Sequence, residues 1–195
     1  MSVNLTKGQR IDLTKNNSGL KKLLIGLGWD PVKMKKGLFR REAPKIDLDS
    51  SVLMLRGDKL LDKNDIIYFG NLKSRCGGVI HTGDNLTGEG DGDDEQILVE
   101  LSKIPQDVNR LIFVINIYAC ESRKQDFGII ENAYIRVADS NTNVEIVKYN
   151  LSEDYTGKTA MIIGEVYRHN NEWKFAAIGE GTCDSKISEL ARRYQ

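Results

Sequence analysis

The stretch AMIIGEVYRHNNEWKFAAI, Ala160–Ile178, decides the fold. Two apolar-rich runs, Ala160–His169 and Trp173–Ile178, flank Asn170-Asn171, a short turn that joins two strands into a hairpin. Within the first run, Gly164–Tyr167 alternates as a strand does. Working outward, the rest of the chain repeats this texture: short apolar clusters separated by Gly, Asn and Asp, the spacing of strands and turns. The further clusters are Leu23–Trp29, Ser51–Leu55, Ile66–Phe69, Val79–His81, Gln96–Leu101, Leu111–Ala119, Ile129–Ala138 and Val144–Tyr149. Asn132–Val137 (NAYIRV) alternates, whereas Leu111–Ile117 (LIFVINI) is apolar on both faces and is predicted to be a central strand. After Cys183 the period changes: Ile187, Leu190, Ala191 and Tyr194 recur at three and four residues, with Asp184 placed to cap the N-terminus and Arg192 and Arg193 near the C-terminus. The expectation is all-β: a β-sandwich of two mainly antiparallel sheets with a short C-terminal helix closing one end.

Length and composition bound the function. A chain of 195 residues suffices for one well-buried core, so residues 1–195 are expected to form a single domain. The 28 basic and 28 acidic residues cancel, which argues against a surface built to hold nucleic acid. The charge is segregated, however. Met1–Lys45 carries eleven Lys or Arg against three acids, whereas Asp84–Glu95 carries six acids and no base. Three cysteines, Cys76, Cys120 and Cys183, are odd in number and form no C-x-x-C pair, as expected in a reducing compartment. No signal-peptide h-region and no run approaching the roughly 20 apolar residues of a membrane helix is present, so a cytoplasmic location is expected.

The segment Gly83–Glu95, GDNLTGEGDGDDE, alternates hard oxygen donors with glycines. Crowding its carboxylates costs on the order of 1 kcal/mol per close pair even in high dielectric, unless a cation sits among them. Calcium takes six to eight oxygens in tolerant geometry; magnesium demands stricter order, and zinc or copper would want the Cys or His that this segment lacks. The segment is not an EF-hand: with Glu89 at the first position, the turn glycine of position 6 is replaced by Asp94, and the flanks read as strands. Asp47 and Asp49 in IDLDS stand two apart and point to one side of a strand. Asp30 ends the apolar run GLGW, where it can face a neighbouring loop. Together these acids suffice for two ions.

At these residues the chain resembles the TerD family of bacterial tellurium-resistance and general stress proteins. The motifs are LTKGQRIDLTK, IGLGWD, IDLDSS, HTGDNLTGEGDGDDE, FGIIENAYIRVAD and YRHNNEWKFAAIGEG, spread over nearly the whole chain. The resemblance implies a calcium-binding β-sandwich, cytoplasmic or peripherally attached to a membrane complex, with no firmly attached enzymatic activity. Matched motif by motif, it nominates Asp84, Asn85, Glu89, Asp91, Asp93, Asp94 and Glu95, then Asp47 and Asp49, then Asp30, as metal ligands. The basic stretch KMKKGLFRR, Lys33–Arg41, is similar to the branch described as chemical-damage resistance proteins.

Three functions are weighed. The first is a calcium-organised binding or adaptor module whose partners are other resistance or stress proteins. The second is a metal-dependent phosphoester hydrolase with a two-ion carboxylate site, for which His81, beside the acidic loop, is the one candidate base. The third is attachment to an anionic membrane surface through Lys33, Lys35, Lys36, Arg40 and Arg41, each basic residue contributing about 1 kcal/mol.

Overall fold

The computed structural model describes residues 2–15, 17, 19–31, 46–83 and 92–195. Among them the chain forms β1 (Val3–Leu5), β2 (Arg10–Asp12), β3 (Lys22–Pro31), β4 (Leu48–Leu55), β5 (Ile66–Ile67), β6 (Val79–His81) and β7 (Glu95–Glu100). There follow β8 (Arg110–Ile117), a four-residue helix α1 (Cys120–Arg123), β9 (Ile130–Asp139), β10 (Glu145–Asn150), β11 (Ala160–His169), β12 (Glu172–Thr182) and α2 (Ile187–Ala191). The strands make two six-stranded sheets, ordered β1-β10-β9-β3-β7-β6 (sheet A) and β2-β12-β11-β8-β4-β5 (sheet B). Every pairing is antiparallel except β1 with β10. The expected two-sheet, mainly antiparallel sandwich is therefore the fold.

The hairpin read from Ala160–Ile178 is β11–β12, and Asn170 and Asn171 both take positive φ (52° and 64°), the backbone that matches a two-residue turn to the twist of its strands. LIFVINI is central in sheet B, between β11 and β4, and every one of its residues is buried. Two apolar faces require two cores. Leu111, Phe113, Ile115 and Ile117 point between the sheets, meeting Leu23, Ile25 and Leu27 of β3 and Ile97 and Val99 of β7 in the main core. Ile112 and Val114 point the other way, into a second core with Leu53, Leu55, Leu190 and Ala191.

That second core corrects the expectation for the C-terminal helix. α2 does not close an end of the sandwich; it lies on the outer face of sheet B, because the outward side chains of β4 and β8 are apolar and must be covered. Fully burying Leu190 there contributes about 1.5–3 kcal/mol. The cap also differs. Lys186 occupies the N-cap position without a side-chain cap, while Glu189 reaches back to accept from the Ser185 backbone N–H (2.8 Å) and hydroxyl (3.0 Å), and Asp184 instead pairs with Arg193 at 3.0 Å.

Two further differences follow from local chemistry. The run predicted as a strand to Ala119 stops at Ile117, because Ala119 turns to left-handed backbone (φ 53°) and Cys120–Arg123 coil into α1. The alternation in Gly164–Tyr167 does not produce a wet face. Glu165 is 9% exposed, and Arg110 donates to its Oε2 from Nε (2.8 Å) and a terminal amino group (2.6 Å). β1 and β2, too short to be read from the sequence, sit in different sheets: Val3–Leu5 runs beside Val147–Tyr149 of β10, and Arg10–Asp12 beside Lys174–Ala176 of β12. This short segment bridges both layers. No helix among the described residues is long and apolar enough to cross a membrane.

Candidate functional site

Strand direction gathers the described acids at one end of the sandwich. β3 runs towards Asp30 there, while β7 starts there with Glu95, opposite Leu27. β6 arrives there with His81, and β4 leaves from it, Leu48 opposite Ile117. The sheets touch at this end through Glu95, whose Oε2 accepts the backbone N–H of Ser50 on β4 at 2.8 Å. Asp84, Asn85, Glu89 and Asp91, and the basic Lys33, Lys35, Lys36, Arg40 and Arg41, lie outside the described residues.

The described acids of the loop do three different jobs. Asp93 is locked on the outer face of sheet A. Arg136 of β9 donates to both its oxygens, Nε to Oδ1 at 2.7 Å and a terminal amino group to Oδ2 at 2.6 Å. Tyr134 (3.1 Å) and Gln96 (3.1 Å) add a donor each, and only 1% of the Asp93 side chain is exposed. A planar guanidinium on a carboxylate is a bidentate, charge-assisted pair. Two glycines make room for it: a Cβ at Gly26 would overlap the Asp93 carboxylate, and one at Gly28 the Tyr134 ring. The Tyr134 hydroxyl also reaches the Gly92 carbonyl at 2.8 Å, and burial beside Asp93 pushes that phenol well above its ordinary range.

Glu95 faces inward instead. With His81 and Ser50 it forms a dry polar cluster, His81 and Glu95 being 2% exposed and Ser50 1%. The Gly83 N–H donates to His81 Nδ1 at 3.2 Å, so the ring proton sits on Nε2, 3.0 Å from Ser50 Oγ and 3.5 Å from Glu95 Oε2. Both ring nitrogens of His81 thus face polar partners inside the protein.

Asp94 and Asp47 form the third group. Asp94 accepts the Trp29 N–H at 2.8 Å, yet burial holds its carboxyl above the usual range, and neighbouring Asp30, Asp93 and Glu95 push the same way. Burial also raises Asp47, which Arg123 at 3.7 Å opposes and Glu95 reinforces. Its Oδ1 is buried and has no hydrogen-bond partner among the described residues. Asp49 lies on the outer face of sheet B, where the Asn116 amide approaches at 3.4 Å. Asp30, re-aimed by a register shift between Gly28 and Asp30, accepts from Asn132 at 2.8 Å. Among the described residues no three His, Cys, Asp or Glu side chains stand close enough to hold an ion by themselves.

Sequence reasoning missed Arg136, Tyr134, Gln96 and Ser50. One signal was available: the paired glycines of LLIGLGW inside a strand mark a close approach.

The hard-oxygen donor set and the unanswered Asp47 oxygen suit a calcium ion; the imidazole, with Nδ1 engaged, and the Arg136-saturated Asp93 do not contribute open donor positions.

An antiparallel double-sheet domain with acids gathered at one end by its strand termini is the class that fold and site define. The family follows directly: the TerD domain model matches residues 1–194, and the chain belongs to the TerD family. It is 57% identical to the stress response protein SCP2 of Bacillus subtilis over the full length of both chains. It is 42% identical to the tellurium resistance protein TerD of Serratia marcescens, over 98% of this chain and 97% of that one. Among solved structures, a homologue of the telluride resistance protein TerD from Streptomyces coelicolor superposes with a TM-score of 0.67 at 22% identity, covering 89% of this chain and 96% of its own. At that identity it supports the fold alone.

Proposed function

We propose that this member of the tellurium-resistance and general stress family is a calcium-organised binding module rather than an enzyme. The observation that carries this reading is the Asp47 oxygen, buried without a partner among the described residues at the end of the sandwich where the chain gathers its acids. A buried acceptor without a donor costs about 1–3 kcal/mol, and a carboxylate in that position is relieved by a cation. Asp47, Asp94, Asp30 and Asp49 are assigned as oxygen donors, with Asp84, Asn85, Glu89 and Asp91 contributed by the GDNLTGEGD segment. When bound, calcium supplies positive charge and draws these oxygens together. Asp93 is assigned to position the loop and Glu95 to tie the two sheets.

Against the hydrolase reading, the Gly83 N–H at Nδ1 and the Ser50 hydroxyl at Nε2 occupy the ring nitrogens of His81, its candidate base. The partner assigned to the organised surface is another protein of the same stress or resistance system, on the strength of the relatives' names alone.

Calcium titration of metal-stripped protein, followed by calorimetry and thermal melts, tests this. Stabilisation should reach about 2.7 kcal/mol once free calcium is roughly a hundredfold above Kd. Asp47→Asn and Asp91→Asn should each weaken binding at least about tenfold, the loss of one charged ligand. Equal melting curves with and without millimolar calcium would defeat the proposal.

A further inference from the structure

The outer face of sheet B carries a second polar anomaly. Along this face Leu53 and Leu55 of β4 and Ile112 and Val114 of β8 are apolar and are covered by α2. Two residues back along β4, on the same face, Ser51 stands opposite Val114 and lines a cavity of about 390 Å³ between the sheet, α1 and the start of α2. Ser51 is 1% exposed, and its hydroxyl has no hydrogen-bond partner among the described residues. Buried polar groups are ordinarily satisfied, so an unanswered hydroxyl in the wall of a cavity of ligand size marks a place where a bound molecule completes the set.

The polar and cationic groups around the cavity are already committed. Asp49 is engaged within the protein, by the Asn116 amide at 3.4 Å and by a further contact, so it offers no open carboxylate. Arg123 lies over the Tyr118 ring, 5.2 Å from its centroid, and covers that aromatic face. Glu121 and Lys186, one acid and one base, are exposed to solvent. What remains is apolar. Burial raises the Cys120 thiol above its ordinary value, so it stays neutral and adds apolar surface, as do Ala119 and Ile187. Phe69, held T-shaped against Tyr68 with ring centroids 5.3 Å apart, is 45% exposed at the same cavity. Water could answer Ser51, but only a molecule with an apolar body also covers Phe69. A charged ligand would lose hydration without gaining a free counter-charge.

We propose that this cavity binds a small neutral ring compound carrying one hydroxyl group, the hydroxyl sharing a hydrogen bond with Ser51 and the ring packing on Phe69. A hydroxyl suits Ser51 because either partner can donate. The site is on the opposite face of β4 from the Ser50–His81–Glu95 cluster, and it does not require the calcium reading.

The test is amide NMR titration of the full chain, in chelator, with 2-naphthol as the probe and 2-naphthoate and 2-naphthylmethylammonium as charged controls. Saturable shifts at Ser51, Phe69 and Cys120 are expected, with Kd between about 0.1 and 1 mM, as befits a ligand of this size. Each charged control should bind at least about tenfold more weakly. Ser51→Ala, which removes an unpaired hydroxyl and should melt no lower than the parent, should lose about threefold. Phe69→Ala, at a half-exposed position, should lose roughly fivefold. The proposal is overturned if 2-naphthol gives no saturable shifts, if the shifts map elsewhere, if either charged control binds as tightly, or if both variants melt as the parent and bind unchanged. Because the titration is run without calcium, 2-naphthol binding in a protein that ignores calcium would remove the calcium reading and leave this one standing.

Discussion

Asp93 and Asp47 are both buried carboxylates at the same end of the sandwich, and the protein treats them oppositely. Asp93 has each oxygen answered by Arg136, with Tyr134 and Gln96 besides, in a recess that two glycines leave open. Among the described residues Asp47 has one oxygen unanswered, and Arg123 approaches the other only to 3.7 Å. The saturated acid is architecture, since any ion would first have to displace a guanidinium. The unsaturated acid is where the chain leaves room for something else. A count of carboxylates treats them alike; their donors separate them.

The sharpest way to break this comparison is to remove the donors. Arg136→Ala leaves Asp93 buried and uncompensated and should destabilise the fold by about 3–5 kcal/mol in denaturant titration, with or without calcium. The corresponding removal at the open site, Arg123→Ala, should move stability by under about 1 kcal/mol, because that guanidinium is 39% exposed and distant. Equal losses in the two variants would show that the acids are not differently held.

Space comes next. Gly26→Ala drives a methyl group into the Asp93 carboxylate and should cost about 1–3 kcal/mol by thermal melt, while the NMR signature of the Arg136 guanidinium shifts. An unchanged guanidinium signal would refute the close-approach reading of that glycine.

The smallest effect lies away from both acids. Glu189, accepting from the Ser185 N–H and hydroxyl, has its carboxyl held below the usual glutamate range by those bonds. Its contribution is therefore fully present above the unfolded value of about 4.3 and is lost as pH falls through the lower folded value. Glu189→Gln should lower the melting temperature slightly at neutral pH and converge with the parent in acid, so that the acid limb of its melting-temperature profile is flatter. A steeper acid limb in the variant would contradict the assignment.

Most strands were legible because their apolar runs are long enough to show period, and LIFVINI announced its central position by being apolar on both sides. β1 and β2 were not, since VNL and RID are three residues each and mostly polar or exposed. The position of α2 was hidden for another reason: its amphipathic face is local, but the surface it covers is made by Leu53, Leu55, Ile112 and Val114, and only pairing of β4 with β8 assembles it. In the site, the acids were legible by density and their roles were not. Arg136 stands 43 residues from Asp93, and no local rule links the two. Gly26 and Gly28 were the nearest available hint, glycines where a strand would ordinarily carry side chains.

The segment that bridges both sheets has a consequence for how the molecule is made. Val3–Leu5 and Arg10–Asp12 leave the ribosome well before their neighbours, Val147–Tyr149 and Lys174–Ala176, which lie more than a hundred residues further along the chain. At about 5–20 residues per second, those opening strands spend many seconds without a mate. Until they dock, the edges of β10 and β12 that they cover are open to pairing with any other unfinished chain nearby.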